Sequence, residues 1–163
     1  MTTTYKKSET NLSFAKPIAL KQNIIINAEN AVVGRVSAII AQYLMGKNKL
    51  TFTRGVDMGS NVIVLNSDKI KFTSEKETTK TYWRHTGFAG GIKSTTPREM
   101  MAKGKSDEII SHAVKGMLPK NTFGRNLLKN LKIFANAEHN ITQKIDHVID
   151  LQNLNQKNIS TKK

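Results

Sequence analysis

Cysteine is absent from the 163-residue sequence, and long apolar runs are absent as well. Without cysteine there can be no disulfide, no thiolate metal site and no cysteine nucleophile. The longest apolar runs, such as residues 24–26 and 62–65, are far shorter than the roughly 20 residues that a membrane-spanning helix needs. We therefore expect no membrane span and no thiol chemistry.

Acidic residues are scarce: 12 Asp and Glu stand against 26 Lys and Arg, which gives a formal charge of +14 and a pI of about 10.1. So large an excess of positive charge predicts a polyanionic partner, of which nucleic acid is the leading candidate. The four histidines, at positions 85, 112, 139 and 147, have no metal-ligand spacing, and no serine has a convincing base beside it. We expect no cofactor, no metal, no small-molecule substrate and no enzymatic activity.

The length suits one domain with tails. Residues 1–22 have no periodicity, and residues 152–163 are polar and end in lysines, so both ends are expected to be poorly ordered when free. The predicted organisation is an N-terminal extension (1–22), an α/β domain (23–143) and a C-terminal extension (144–163). The first residues do not have the apolar core of a secretory signal, whereas a transit peptide remains open.

Strands and helices are predicted to alternate within the domain. Residues 24–26, 61–65, 69–72 and 131–135 have the composition of short strands. A helical stripe runs from Val33 to Leu44 and stops at Gly46, and a second helix starts near Ser106 as N-cap, with Ile109, Ile110, Ala113, Val114 and Met117 on its buried face. A shorter helix is expected over 122–130. This order predicts a layered α/β domain.

The most distinctive stretch runs from Lys80 to Ser94 and combines adjacent aromatics, several cations and three glycines without a helical or strand period. Glycine allows close approach to phosphates, and the rings and guanidinium groups can stack on unpaired bases. We interpret the stretch as an RNA-contact loop. For Tyr82 and Trp83, a partly buried structural role is an equal alternative.

Nucleotide binding has little support in the sequence. The segment Gly90 to Ser94 fails the spacing and the strand context of a phosphate-binding loop, and Gly34 stands alone, without the other glycines of a dinucleotide fingerprint. A second basic constellation is more informative. In residues 113–132, cations occur at each break between apolar elements, where side chains can reach a phosphate backbone without disturbing the core. This placement favours RNA contact over a merely solvated face.

Several stretches resemble one known family, the thirteenth protein of the large ribosomal subunit in its bacterial and organellar form. They occur in the family's order over about residues 14–143, and the run AVKGMLPK is the most specific. The matching stretches are Val33-Gly34-Arg35, Leu44-Met45-Gly46-Lys47, Val62-Ile63-Val64-Leu65-Asn66, Arg84-His85-Thr86-Gly87, Gly90-Gly91-Ile92-Lys93, Ala113-Val114-Lys115-Gly116-Met117-Leu118-Pro119-Lys120, Gly124-Arg125 and Glu138-His139-Asn140.

The chain departs from the family pattern at five positions. Asn23 replaces the usual aromatic, Asn27 and Ser60 each replace the usual Asp, Ala89 stands where Pro is common, and Ile141 where a second histidine often follows. These differences bear on local RNA contacts and turn shapes.

The resemblance implies a mostly parallel central sheet flanked by helices, with extended basic loops and tails. It also implies binding to large-subunit ribosomal RNA and neighbouring ribosomal proteins, and a role in subunit assembly and translation. An RNA-binding regulator that works off the ribosome and a small nucleotide-acting α/β enzyme are the rival functions. The many Lys, Asn and Ile residues with five Arg are typical of AT-rich genomes, and favour a mitochondrial over a bacterial ribosome.

The residues expected to contact RNA come from the basic elements, the glycine-rich stretch and the family motifs. They are Lys47, Lys49, Arg54, Lys80, Trp83, Arg84, His85, Thr86, Gly87, Gly90, Gly91, Lys93, Lys115, Lys120, Arg125 and His139.

Overall fold

A computed structural model of the chain describes residues 21–141 and 144–160. In chain order, its strands and helices are β1 (Asn23–Asn27), α1 (Val33–Met45), β2 (Asn61–Leu65), α2 (Lys76–Thr79), β3 (Tyr82–His85), β4 (Ile92–Thr95), α3 (Pro97–Ala102), α4 (Ser106–Met117), α5 (Thr122–Leu128), β5 (Leu131–Ile133), β6 (His147–Ile149) and α6 (Leu151–Leu154). Short 3-10 turns lie at Ser67–Lys69 and Gln156–Asn158.

Four of the strands form a parallel sheet in the order β5-β2-β1-β6, and β3 pairs with β4 in a separate antiparallel hairpin. The two central strands carry the runs Ile24–Ile26 and Val62–Val64, all buried, with Ile25 opposite Ile63. Unbroken apolar runs are what a parallel strand needs when both of its faces are covered. The structure therefore confirms the predicted α/β class with a parallel central sheet.

The periodic stripe of α1 faces the sheet: Val36, Ile40 and Leu44 are at most 1% exposed. The helix ends where predicted, because Gly46 adopts a left-handed φ of 75° and the backbone N–H groups there donate to the carbonyls of Gln42 and Tyr43. A side chain at Gly46 would also lie only 2.7 Å from the carbonyl oxygen of Met58, so the turn and the packing both require glycine.

The second helix, α4, packs against α1 through Ile109, Ile110 and Val114. Two details of its prediction are wrong. Ser106 is the first helical residue rather than the cap, and Lys105 occupies the cap position without a capping side-chain bond. Met117 is 42% exposed, because the chain turns at the helix end and Leu118 takes the buried place instead.

Two predicted strands also need correction. Residues 69–72 form no strand: Lys69 ends a 3-10 turn, and Lys71 makes a single bridge to Val32, because its backbone pairs with the residues just before α1 and not with a strand of the sheet. The strand predicted over 131–135 spans Leu131–Ile133, and it is followed by β6. The helix predicted over 122–130 ends at Leu128.

Residues 144–160, which lie in the predicted C-terminal extension, pack onto the domain. Strand β6 pairs with β1, Leu151 is buried in the core, and the amide of Asn158 donates to the Leu151 carbonyl at 3.0 Å. Few apolar residues make these contacts, so hydropathy gave little sign of them. The predicted N-terminal extension lies outside the described residues except for Lys21 and Gln22. No helix in the described ranges is long and apolar enough to cross a bilayer.

Candidate nucleic-acid interface

The stretch from Lys80 to Ser94, predicted as an aperiodic loop, is a β-hairpin. Strands β3 and β4 pair with Trp83 opposite Ser94, Arg84 opposite Lys93 and His85 opposite Ile92. Its strand period is hidden in the sequence because both faces of the hairpin carry polar and exposed residues, so no apolar alternation marks it. The prediction of an aperiodic loop was therefore wrong. The residues of this stretch that were assigned to RNA contact nevertheless lie together on one exposed element.

The two faces of the hairpin differ in chemistry, since successive residues of a strand point to opposite sides. One face carries Tyr82 with Arg84 and Lys93 beyond it. The other carries Trp83, His85 and Ile92, of which Trp83 is 68% and Ile92 64% exposed. Directly opposed like charges destabilise a strand pair, so the Arg84–Lys93 pairing costs the isolated protein stability.

Tyr82 anchors the hairpin to the domain. Its ring lies 5.2 Å from that of His112 on α4, and Lys80 Nζ lies 5.1 Å from its centre. Burial raises the pKa of the Tyr82 hydroxyl, and that oxygen has no hydrogen-bond partner among the residues described. Of the two aromatics, Tyr82 therefore has the partly buried structural role, whereas Trp83 is exposed.

The hairpin tip depends on glycine. Gly87 and Gly90 have φ angles of 93° and 68°, and a Cβ at Gly91 would lie 2.1 Å from Thr86 Oγ1. The Thr86 N–H donates to the Gly91 carbonyl at 2.9 Å, and the Gly87 N–H donates to His85 Nδ1 at 3.0 Å. These bonds order the tip, and glycine is required there for a conformational reason at Gly87 and Gly90 and for a steric reason at Gly91.

A second group of predicted cations surrounds a groove between α4 and α5. Lys115, Lys120 and Arg125 are all exposed at its edge, and the groove has a volume of about 610 Å³. The side chain of Asn121 caps α5 by accepting from the Gly124 N–H at 2.9 Å, which fixes the turn between the two helices. The groove touches His112 and Gly116, which also line the cavity beside the hairpin. The hairpin and the cations of α4 and α5 therefore border two adjacent depressions in the surface.

The third group, in the loop after α1, is not part of this surface. Lys47 and Arg54 are exposed, but α1 is 13 residues long, so its C-terminal loop lies roughly 20 Å from the end nearest the hairpin. Lys49 differs from both. Its Nζ is shielded from solvent without a hydrogen-bond partner among the described residues, and this burial lowers the pKa of the amine.

His139 lies apart from all three groups, after β5. Its ring lies 6.2 Å from that of Phe134, and its Nδ1 is buried without a partner in the described chain. The residue is half-buried.

Sequence reasoning missed cations that the fold brings to the hairpin. Arg35 in the first turn of α1 and Lys76 on α2 line the same cavity as Lys80 and Trp83. Lys103 on the segment after α3 borders the opposite side of the hairpin. Arg35 follows Gly34 in one of the family motifs, which is a signal in the sequence, whereas the positions of Lys76 and Lys103 depend on tertiary packing.

None of the cations predicted to contact RNA is paired with an acid in the described residues, where the ion pairs involve Lys21, Lys69 and Lys105. The same residues contain no group of three or more His, Cys, Asp or Glu side chains placed to hold a metal ion. The surface of the hairpin, α4 and α5 therefore offers unneutralised cations with exposed aromatic and glycine positions, which is the chemistry of polyanion binding.

Comparison with known proteins identifies the family. The model of the family Ribosomal protein L13 matches residues 21–140. The chain belongs to the ribosomal protein L13 family. It is 45% identical over 139 residues to "Large ribosomal subunit protein uL13" of Mesorhizobium japonicum, covering 85% of this chain and 90% of that protein. The proteins of the same name from Chelativorans sp. and Neorickettsia sennetsu are 43% and 44% identical over 138 residues, covering 85% of this chain and 90% and 91% of theirs.

Membership confirms the resemblance drawn from the motifs, and with it the prediction that the chain is a ribosomal protein and not an enzyme. The matched range ends at residue 140, before β6. It includes the hairpin, α4 and α5, so the cationic surface lies within the part of the chain that defines the family.

Proposed function

We propose that this ribosomal protein is a structural constituent of the large subunit and binds the large-subunit ribosomal RNA through the β3–β4 hairpin and the cations at the ends of α4 and α5. The observation that carries the proposal is the cross-strand pair of Arg84 and Lys93. Two cations held opposite each other without an acid raise the energy of the free protein, and a phosphate between them would remove that cost.

The cations of α4 and α5 extend this surface. Lys115, Lys120 and Arg125 stand at the edge of the groove next to the hairpin cavity, in the position suited to a phosphate backbone that crosses both. Each contact would act by releasing condensed counterions, so binding should weaken steeply with salt. Lys47, Arg54 and His139 would belong to separate contacts, and Lys49 would need a rearrangement to reach RNA.

The exposed aromatic face of the hairpin gives a further mode of recognition. Trp83 presents its ring to solvent beside His85, and Phe88 at the tip is 78% exposed. Base stacking on such rings is worth about 1–3 kcal/mol for each base and does not depend strongly on sequence. We assign Trp83 to an unpaired base, with Thr86 and the tip glycines close to the strand that carries it.

Neighbouring ribosomal proteins and a role in subunit assembly are part of the same proposal. The names of the relatives place those proteins in the large ribosomal subunit, and the chain spans about nine-tenths of their length. A protein that presents unpaired cations on several sides stabilises RNA segments against each other during folding of the particle.

Sucrose-gradient fractionation in high salt tests the proposal. We expect the protein to sediment with large subunits after a high-salt wash, because a structural constituent is held by many simultaneous contacts. Recovery only in the slow fractions, bound to other RNA, would favour an RNA-binding regulator that works off the ribosome, and would contradict the structural role.

The compartment is proposed from composition. A chain with many Lys, Asn and Ile and five Arg suits an AT-rich genome, which favours the mitochondrial ribosome over that of the bacterial cytoplasm. The relatives named above are bacterial, so they leave this preference open. Locating the coding gene would decide: a gene on a bacterial chromosome contradicts the mitochondrial assignment.

A further inference from the structure

A cavity of about 730 Å³ lies between the first turn of α1, the second half of α4 and the start of β3. Gly34 and Arg35 line it from α1, and Gly116 lines it from α4. Both glycines are helical, both are exposed, and they come from helices far apart in sequence. Each glycine thus leaves a gap among the side chains that its helix presents to the cavity, beside Arg35 on α1 and beside His112 and Met117 on α4.

No contact and no backbone angle within the described protein requires glycine at these two positions. A Cβ at Gly34 or at Gly116 would meet nothing within 4 Å, and neither residue has a positive φ. Alanine would therefore fit, and it favours the helix more than glycine does. The other eight glycines differ, because each either has a left-handed φ or would place a Cβ within about 2.1 Å of another atom: Gly46, Gly55, Gly59, Gly87, Gly90, Gly91, Gly104 and Gly124.

The charge of the cavity indicates what approaches it. Three of its lining residues, Arg35, Lys76 and Lys80, are cationic, and no acidic residue lines it. None of the three forms an ion pair within the described part of the chain. The first turn of α1 has neither an acidic residue nor a capping side chain, so the positive end of that helix adds to the same field. A basic peptide extension would be repelled, and a polyanion would be attracted.

We infer that this cleft receives the sugar–phosphate backbone of the ribosomal RNA, and that Gly34 and Gly116 lack side chains so that the backbone can lie directly against the two helices. The inference rests on the proposed function and deepens it. To a surface otherwise defined by charge it adds two glycine positions at which a ligand can approach a helix backbone. Arg35, Lys76 and Lys80 hold phosphates at its rim, and Trp83 stands beside the strand as it leaves the cleft.

The test separates fold stability from RNA affinity. Gly34→Ala and Gly116→Ala are made in the full chain, together with Gly116→Leu as a larger intrusion. We expect each alanine variant to melt a few degrees higher than wild type, about 1–4 °C, because alanine stabilises a helix. We expect affinity for an in vitro transcript of the cognate large-subunit RNA to fall about tenfold, and further in Gly116→Leu. The control is Ala38→Leu, which adds bulk at an exposed position of α1 that does not line the cleft.

Other outcomes would overturn the inference in distinguishable ways. A lower melting temperature in the alanine variants would mean that the fold itself needs these glycines. Unchanged affinity for the transcript would mean that no RNA backbone enters the cleft. Unchanged affinity for RNA together with failed incorporation into particles would assign the cleft to a neighbouring protein. If the wild-type protein does not bind the transcript either, the proposed function fails as well.

Discussion

The central sheet with α1 and α4 differs from the β3–β4 hairpin in whether contacts within the protein explain its residues. In the core, Ile40, Leu44 and Ile109 are wholly buried and contact each other across elements, so the fold explains them. In the hairpin, Trp83 is exposed and Arg84 stands opposite Lys93 without an acid. The difference teaches that one region is stabilised by its own contacts, whereas the other carries features that only an external polyanion makes favourable.

Glycine shows the same contrast on a smaller scale. Gly59 and Gly124 are packed so tightly that a Cβ would lie 1.9 Å from a backbone oxygen, so the fold determines them. Gly34 and Gly116 have open space around them. Glycines that no internal contact requires, such as Gly34 and Gly116, therefore indicate where an external partner binds.

The largest effect is expected in the core. Leu44→Ala should lower the free energy of unfolding by about 2–5 kcal/mol, because it removes buried methyl groups and leaves a cavity. Trp83→Ala, a larger truncation in the hairpin, should change it by no more than about 0.5 kcal/mol, since the ring is exposed. Urea denaturation of both variants checks this. A comparable loss in Trp83→Ala would erase the distinction between the two regions.

The next largest effect is expected from the glycines that the fold requires. Gly124→Ala places a methyl group 1.9 Å from the Pro119 carbonyl oxygen and must displace the turn before α5. We expect a loss of about 1–3 kcal/mol or more, as for other overpacked sites. Thermal unfolding measures it, with Gly116→Ala as the matched substitution in open space. If both variants lose stability equally, the steric contrast is wrong.

The hairpin cations should affect RNA binding rather than folding. Replacing Arg84 and Lys93 together by alanine should lower the salt dependence of RNA affinity by about 1.4–1.8 log units per log unit of salt, the value for two lost phosphate contacts. The melting temperature should stay the same or rise, because the variant removes an opposed pair of like charges. Fluorescence anisotropy over a range of salt concentrations provides the measurement.

The control for that pair removes the same net charge elsewhere. Lys69 and Lys144 are exposed and lie on none of the hairpin, α4 or α5. Their double alanine variant should leave the salt slope close to that of wild type. If the two double variants behave alike, total charge and not the hairpin governs RNA affinity.

The smallest effect concerns Lys49. Burial holds the pKa of its amine below the ordinary value of 10.5. In the pH range between the lowered value and 10.5, the unfolded state retains a proton that the folded state has lost, so the free energy of unfolding rises with pH. Lys49→Met should abolish this rise and should stabilise the protein at neutral pH by less than about 1 kcal/mol, since solvent around the loop screens the charge. Urea unfolding between pH 8 and 10.5 tests both. A variant with the same pH dependence would contradict a burial effect.

Much of the core could be predicted from the sequence because its signals are local. The stripe of α1 repeats at the helical period and stops at Gly46, and the runs 24–26 and 62–64 have the composition of buried parallel strands. The hairpin could not be predicted in the same way. Its strands have no buried face, so alternation of apolar and polar residues, the usual strand signal, is missing.

The candidate site was predictable in its residue types and less so in its arrangement. Charge and glycine content directed attention to the hairpin, and element breaks directed it to Lys115, Lys120 and Arg125. Only the fold brings Arg35 and Lys76 to the same cavity, because they are separated along the chain. Lys49 was assigned to RNA on charge alone, and sequence carries no sign that its amine is shielded.

The most direct test of the central claim is a structure of the ribosomal particle that contains this chain. We predict that Arg84 and Lys93 lie within hydrogen-bond distance of phosphate oxygens, about 3 Å, on the cationic face of the hairpin. The same map should show no protein acid between them. Both side chains directed into solvent, with no nucleotide beside the hairpin, would contradict it.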